Sequence, residues 1–498
     1  MICRIDPERV LCKRDPMIYG QFLEHFHRQV YGGVFMPGHE LADEEGFRKD
    51  VLEALRRIKT PVIRWPGGCF VSSYHWEKGV GKRVKVFDKS WRVEDDNSFG
   101  TDEFIAYCRK LGCEPYICLN AGTGSEEEMS NWMEYCNLDH EGEYAQKRIE
   151  NGHREPYNVK YWSIGNENYG HWEIGAKDAK SWARLVLETS KMMKRVDPDA
   201  ELSAAALTDI DWNVNLLSTA AERLEWISIH SYWDFMGPNH IAATYEQCMA
   251  YTHDLDRSVR QVRGLLNAFG LEKQIRIAYD EWNLRAWHHP NIHTVKQASR
   301  KEDYLTPRDK NDDNSTYTVA DAVFSACFLN MILRNADIVG MANFAPMVNT
   351  RGCIFTHDKG IVLRPTYHVF ELYTRLMGDE IIDLYGDESP LYEVVSKEGE
   401  KVQVAQVDVL ATKHSEDGTI AVSLINKHAT ETAQVTLKLN AEGRACCVET
   451  LCGQSSDDYN DVDRNPVVPF ENDAAAVVCG DEITITLPAH SVNVLTLK

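Results

Sequence analysis

The chain has 498 residues, with 54 Lys and Arg against 76 Asp and Glu, a formal charge of −22 at pH 7. Negative charge in excess, with no Lys/Arg-rich tract, repels phosphate backbones and anionic lipid, so nucleic acid and membrane surfaces are excluded as main partners. The length exceeds one ordinary domain and suits a barrel of alternating strands and helices, which often reaches about 250 residues or more, with a smaller unit beside it.

Met1 to Arg9 lacks the apolar core of a secretion signal, and no later stretch is long and apolar enough to span a bilayer. The 14 cysteines include several in core-like segments (Cys108, Cys113, Cys118, Cys327) and the adjacent Cys446 and Cys447, a distribution that suits reduced thiols better than disulfides. The spacing of Cys108, Cys113 and Cys118 matches no zinc pattern. The expectation is a soluble, cytoplasmic protein.

In chain order, a first strand is expected near Ile18 to Phe22. Phe47, Val51, Leu52, Leu55 and Ile58 then form one helical face, followed by a strand at Pro61 to Arg64. Thr101 is placed to cap a helix carrying Phe104, Ile105, Cys108 and Leu111 that stops at Gly112, and Glu114 to Asn120 reads as a buried strand. Ser125 with Glu128 forms a capping box for the next helix. A strand at Val159 to Ile164 precedes a helix with Trp182, Leu185, Val186, Met192, Met193 and Val196, ended by Asp197-Pro198. Further strands are expected at Leu202 to Ala206, Trp226 to His230, Ile275 to Tyr279 and Ile338 to Asn343.

Eight strands with helices between them predict an α/β fold, a (β/α)8 TIM barrel over residues 16–378. From about residue 380 the pattern changes to alternation of period two, at Val402, Val404 and Val407, then Val435 to Leu439, then Ile483 to Leu487. This predicts a C-terminal all-β sandwich, jelly-roll-like, over residues 379–498, joined by residues 1–15.

In such barrels functional groups gather at the carboxyl ends of the strands. Glu24, Glu167, His230, Glu281 and Asn343 all fall there. Two of them, Glu167 and Glu281, end apolar segments in polar, aromatic clusters, Trp162-Ser163-Ile164-Gly165-Asn166-Glu167-Asn168 and Ala278-Tyr279-Asp280-Glu281-Trp282-Asn283. Paired carboxyl groups, one a protonated acid and one an ionised nucleophile, are what cleavage of a glycosidic bond with retention requires. Whichever of the two is the acid must hold its proton near neutral pH; with Glu167 in that role, Trp162, Tyr169 and the charge of Glu281 are expected to surround it and raise its pKa. With Glu281 as the nucleophile, Tyr232 is the expected donor that keeps it ionised, and His230 is expected to orient that network. A metal-dependent hydrolase built on Glu24, His25, His27, His230, His288 and His289 is the rival chemistry, but no His-Glu-x-x-His helix or comparable spacing supports it.

The segments Gly20-Gln21-Phe22-Leu23-Glu24-His25, Ile63-Arg64-Trp65-Pro66-Gly67-Gly68, Phe99-Gly100-Thr101-Asp102-Glu103-Phe104, Gly165-Asn166-Glu167-Asn168, Ile229-His230-Ser231-Tyr232 and Asp280-Glu281-Trp282-Asn283, in that order, resemble glycoside hydrolase family 51, the α-L-arabinofuranosidases. The resemblance implies a retaining exo-hydrolase that releases terminal α-L-arabinofuranosyl residues from oligosaccharides, without metal or cofactor, and a homo-oligomer, often a hexamer. It implies Glu167 as acid/base, Glu281 as nucleophile, Asn166 on the sugar hydroxyl beside the reacting carbon, and Glu24 on hydroxyls of the terminal sugar. A salt bridge to Arg64 is the structural alternative for Glu24.

Two positions depart from the family pattern, Cys69 where Asn is usual and Pro346 where Gln is usual. An altered sugar subsite leaves a related activity open, such as β-D-galactofuranosidase, or a catalytically inactive sugar-binding protein. Trp172, Trp233, Trp282 and Trp287 are candidate apolar faces for sugar rings, and the segment with Trp287, His288, His289 and Pro290 is a candidate rim.

Overall fold

The computed structural model describes residues 1–237, 240–286, 312–439 and 445–498. Eight parallel strands close into a barrel: β1 (Gly20–Phe22), β2 (Val62–Trp65), β3 (Glu114–Leu119), β4 (Tyr161–Ile164), β5 (Glu201–Ala205), β6 (Trp226–Asp234), β7 (Arg276–Arg285) and β8 (Val339–Phe344). β8 returns to β1 through Asn343 opposite Gly20. All eight predicted strands are present. Their apolar runs have a plain cause: the barrel interior lies on one face and helices on the other, so β2, β4 and β8 are buried along their whole length.

Two helix starts differ from expectation. The helix Thr101–Leu111 is capped at Gly100, whose N–H donates to the Glu103 carboxylate at 2.8 Å. A Cβ at Gly100 would lie 1.8 Å from the Gly79 carbonyl oxygen, so the cap position admits only glycine. Thr101 becomes the first helical residue and accepts from the Trp132 indole at 3.0 Å. Ser125 does cap its helix, accepting from the Glu128 N–H at 3.0 Å, but the Glu128 carboxylate turns to His75 Nδ1 at 2.9 Å, leaving half a capping box.

The second unit is one ten-stranded sheet, in which Ile2–Lys13 pairs antiparallel with Glu380–Gly386 and parallel with Ala433–Lys438. The sheet folds over on itself, since Val422, Leu424, Leu495 and Leu497 of one half share a core with Val435, Leu437, Ile483 and Ile485 of the other. Its outer face does not end in water there. Ile425, Val492 and Val494 join the barrel's own core, so strands Ile420–Asn426 and Ser491–Leu497 are buried on both faces. Val402 and Val404 lie elsewhere, in a separate hairpin (Leu391–Val395 with Lys401–Ala405) that packs on Ala250. Alternation identifies a strand but carries no information about its partner, which is why these residues read as sandwich.

Candidate active site

β7 brings the first carboxylate to the barrel mouth through an irregularity. Its pairing with β6 runs evenly from Arg276 to Ala278, shifts, and resumes with Glu281 opposite His230; the pairing with β8 shifts over the same stretch. Such a bulge lets consecutive residues escape strict alternation. Asp280 thereby stays inside the barrel, accepting from the Tyr116 hydroxyl at 2.7 Å and from Ser228 Oγ at 2.6 Å, while Glu281 lines the cavity above. On β6, His230 and Tyr232 are two apart and share a face. Both reach Glu281: the Tyr232 hydroxyl donates to Oε1 at 2.5 Å, and His230 Nδ1 lies 3.5 Å from Oε2.

Glu167 enters from the turn after β4. The turn needs left-handed backbone at Gly165 (φ 71°) and at Glu167 itself (φ 43°), a conformation that costs a non-glycine residue about 1 kcal/mol or more and concentrates at functional positions. Both carboxylate oxygens of Glu167 accept hydrogen bonds, Oε1 from His230 Nδ1 at 3.0 Å and Oε2 from the Trp172 indole at 2.9 Å. A carboxylate oxygen of Glu167, one of Glu281 and a ring nitrogen of His230 all lie within 4.8 Å of one another.

Arg64, fully buried on β2, ties the floor together. Nη1 donates to Glu281 Oε2 at 2.9 Å, Nη2 to Asn166 Oδ1 at 2.8 Å, and Nε sits 3.5 Å from Asp280. Burial alone would lower the His230 pKa, but Glu281, Asp280 and Glu167 outweigh it and hold the imidazole protonated, with its pKa near 10. Burial likewise pushes the Glu167 carboxyl up, yet the hydrogen bond and charge of His230, then Trp172 and Arg64, bring it below the ordinary range. The expectation of an apolar, pKa-raising setting for Glu167 is thus overturned. Trp162 is buried with its N–H on Val159 O, and the protonated imidazole supplies the dominant contact.

Glu24 completes the ring. Its Oε1 accepts from the N–H groups of Gly68 and Phe70, each at 3.1 Å, and Arg64 is engaged elsewhere, so the salt-bridge role is not the one it fills. Gly68 shows how tightly these groups converge: a Cβ there would sit 3.5 Å from Glu281 Oε2, 3.6 Å from Glu24 Oε1 and 3.7 Å from Asn166 Nδ2. Glycine keeps that common volume open for a ligand. Burial, then the charge of Glu281, push the Glu24 carboxyl up to about 8.

The result is a cavity of about 600 Å³ bordered by Glu24, Asn166, Glu167, His230, Tyr232 and Glu281, with Cys69 and the aromatic rings of Phe26, Trp91 and Trp172. Cys69 lies within 4.8 Å of both Glu167 and Glu173, and burial followed by those negative neighbours keeps its thiol neutral. Trp172 stands at the rim, 55% exposed. Trp282 and Trp233 are packing residues instead, against Phe328 (centroids 3.9 Å) and Phe324 (4.9 Å).

Asn343, too, lies outside the cavity. It is fully buried in the barrel wall, donating from Nδ2 to Gln21 O at 2.8 Å, because the end of β8 pairs directly with β1. Trp287, with His288, His289 and Pro290, lies outside the described residues. The imagined histidine cluster disperses: His25 bonds Asp95 and stacks on Phe70, and His27 faces Asp312. Of the cluster's three described histidines, His230 alone joins the site carboxylates, with both ring nitrogens engaged by them and the Arg64 guanidinium alongside, an arrangement suited to sharing a proton.

Several site residues escaped sequence reading: Asp280, Phe26, Trp91 and Arg351, and the role of Arg64. Trp91 arrives on a hairpin, Val86–Asp88 with Val93–Asp95, whose turn is held by Asp88 accepting from the N–H groups of Ser90 and Trp91. An Asp-x-Ser turn between two short β-prone runs was the available signal. Trp91 then packs on Phe26 with centroids 4.4 Å apart, forming one cavity wall.

Residues 54–253 match the α-L-arabinofuranosidase 1 domain, and residues 280–491 match the α-L-arabinofuranosidase C-terminal domain. An intracellular exo-α-(1→5)-L-arabinofuranosidase of Halalkalibacterium halodurans is 32% identical over 499 residues, covering 97% of this chain and 96% of that relative. The crystal structure of an α-L-arabinofuranosidase from Thermotoga maritima in complex with arabinose superposes with a TM-score of 0.87 at 34% identity over 99% of each chain. A thermostable family 51 α-L-arabinofuranosidase from Thermotoga petrophila RKU-1 gives 0.88 at 34% identity, over 100% of this chain and 99% of that one. Similarity of this depth runs through barrel and sheet together, and the chain belongs to the α-L-arabinofuranosidases of glycoside hydrolase family 51.

Proposed function

We propose that this cavity releases terminal α-L-arabinofuranosyl residues from oligosaccharides by double displacement, with Glu281 as nucleophile and Glu167 as acid/base. The observation that carries the reading is the approach of the two carboxylates, with oxygens inside 4.8 Å of each other around one imidazole. Retaining glycosidases hold the pair at roughly 5–5.5 Å, and inverting ones at roughly 6.5–9.5 Å to admit water.

In the first step Glu281 attacks the anomeric carbon while the bond to the leaving oxygen breaks and that oxygen takes a proton from the Glu167–His230 pair. The pair holds one proton between them, resting on His230 in the free site, and a departing alkoxide draws it through Glu167. In the second step water attacks the same carbon from the side Glu167 occupies, Glu167 accepts the water's proton, and the ester bond to Glu281 breaks. Tyr232 and Arg64 stabilise Glu281 as a leaving carboxylate. Asn166 is assigned to the hydroxyl beside the reacting carbon, its Oδ1 held by Arg64 and its Nδ2 unpartnered. Glu24 and Cys69 border the remainder of the ring.

Hydrolysis of aryl α-L-arabinofuranoside, β-D-galactofuranoside and α-L-arabinopyranoside, followed by proton NMR, tests the proposal. The first is expected to turn over fastest and the first-formed product to keep the substrate's anomeric configuration; an inverted first product contradicts it.

Glu24 adds a pH dependence. With its pKa near 8 it is mostly neutral at pH 7, and ionisation adds a second negative charge facing Glu281. Above pH 8, kcat/KM is therefore expected to fall, approaching about tenfold per unit. Glu24→Gln, permanently neutral, should lose that alkaline limb, whatever its lower plateau; a limb that persists in the variant assigns it to another group.

Relatives named as intracellular support a cytoplasmic location, and no helix among the described residues is long and apolar enough to cross a membrane. Family membership supports a homo-oligomer, up to a hexamer.

A further inference from the structure

Arg351, in the segment that follows β8, lines the cavity and is 6% exposed. Three buried arginines around the barrel mouth are matched with carboxylates, Arg64 with Glu281, Arg28 with Asp312, and Arg285 with Asp234 and Asp321, while Arg364, outside the cavity lining, is held by Asn314 and the carbonyls of Thr350 and Gly352. Arg351 has no such partner among the described residues. Of its five N–H donors, Nη2 reaches the Tyr232 hydroxyl at 3.2 Å, and Nε is buried with no partner. The guanidinium rests over the Tyr232 ring, 5.0 Å from its centroid.

A buried cation without a matched anion is costly, and such a group is retained where a ligand supplies what the protein does not. The cavity narrows what that ligand group is. Glu167 and Glu281 already line it with negative charge, so an anionic sugar is disfavoured and a neutral hydroxyl remains. Position narrows it further. Arg64 holds Asn166 on the floor of the site, beside the attacking oxygen, whereas Arg351 approaches from the Tyr232 side. Pro346 in the same segment brings no side-chain donor.

We propose that Arg351 is a specificity-determining contact, donating to a hydroxyl of the terminal furanosyl ring remote from the anomeric carbon. The assignment rests on the furanosidase reading above and names a group that reads the sugar. Tyr232 links Arg351 to Glu281 as well, so a purely positioning role has to be told apart from contact with substrate.

The experiment compares 4-nitrophenyl α-L-arabinofuranoside with its 3-deoxy and 5-deoxy analogues on the native enzyme, Arg351→Met and Arg351→Lys. On the native enzyme one analogue is expected to lose about 10- to 100-fold in kcat/KM. In Arg351→Met that analogue should come within about threefold of the parent sugar, while the other keeps its native penalty. In Arg351→Lys the affected penalty should be cut without vanishing, and this variant decides if the Met variant fails to fold by circular dichroism. Deoxygenation penalties unchanged from native in the folded variants would overturn the contact and leave Arg351 acting through Tyr232 alone. Failure of the native enzyme to hydrolyse the parent sugar would instead count against the furanosidase reading.

Discussion

Glu281→Gln is expected to lower kcat/KM for aryl α-L-arabinofuranosides by about 10⁴-fold or more, the scale on which removal of a covalent nucleophile acts. Glutamine keeps the shape of the side chain and an oxygen to accept from Arg64 or Tyr232. What it loses is the charge that attacks the anomeric carbon and the ability to form an ester. Asp280 and Asn166 remain beside the Arg64 guanidinium, so the floor of the site stays partnered. Steady-state kinetics with circular dichroism as the folding control checks this, and activity within tenfold of native would remove Glu281 from the nucleophile's role.

Glu167→Ala should separate substrates by their leaving groups. Release of a sugar alkoxide needs a proton, and loss of the general acid is expected to slow it by about 10²- to 10⁴-fold. A 2,4-dinitrophenolate leaves without one, so its release in the first step should be nearly unaffected, seen as a burst. The second step then stalls, because no base activates water. Azide, an anion that needs no base, should restore turnover and yield the α-L-arabinofuranosyl azide. Equal losses for both leaving groups, with no azide effect, would place the acid/base elsewhere. The same substitution removes one partner of the His230 imidazolium, leaving Glu281 and Asp280 to hold its proton.

The barrel was legible because each strand is an apolar run between helical periodicities, and the pattern is local. Glu167 and Glu281 were legible for a related reason: both sit at strand ends, where the fold collects chemistry whatever the loops do. His230 was named from its strand-end position and Tyr232 from the segment Ile229 to Tyr232, and the structure puts both on one face of β6. Strand-end position was insufficient for Asn343, whose side chain turns to the neighbouring strand. The environment of Glu167 was misread because the deciding contact, His230, lies on another strand and draws its own charge from three carboxylates. Arg64 and Arg351 carry no local signal at all. Their roles arise from distances across the barrel, 2.9 Å from Arg64 to Glu281 and 3.2 Å from Arg351 to Tyr232, which chain spacing does not encode. The bulge at Tyr279 to Glu281, which frees both Asp280 and Glu281 from alternation, is equally silent in the residues that form it.

The proposed opposition of Glu167 and Glu281 across one anomeric carbon is open to covalent capture. Glu167→Ala, mixed with 2,4-dinitrophenyl α-L-arabinofuranoside and quenched in acid, is expected to gain the mass of one pentosyl group, which peptide mapping places on Glu281. A burst of dinitrophenolate from protein of unchanged mass, or a pentosyl group on any other residue, would contradict it.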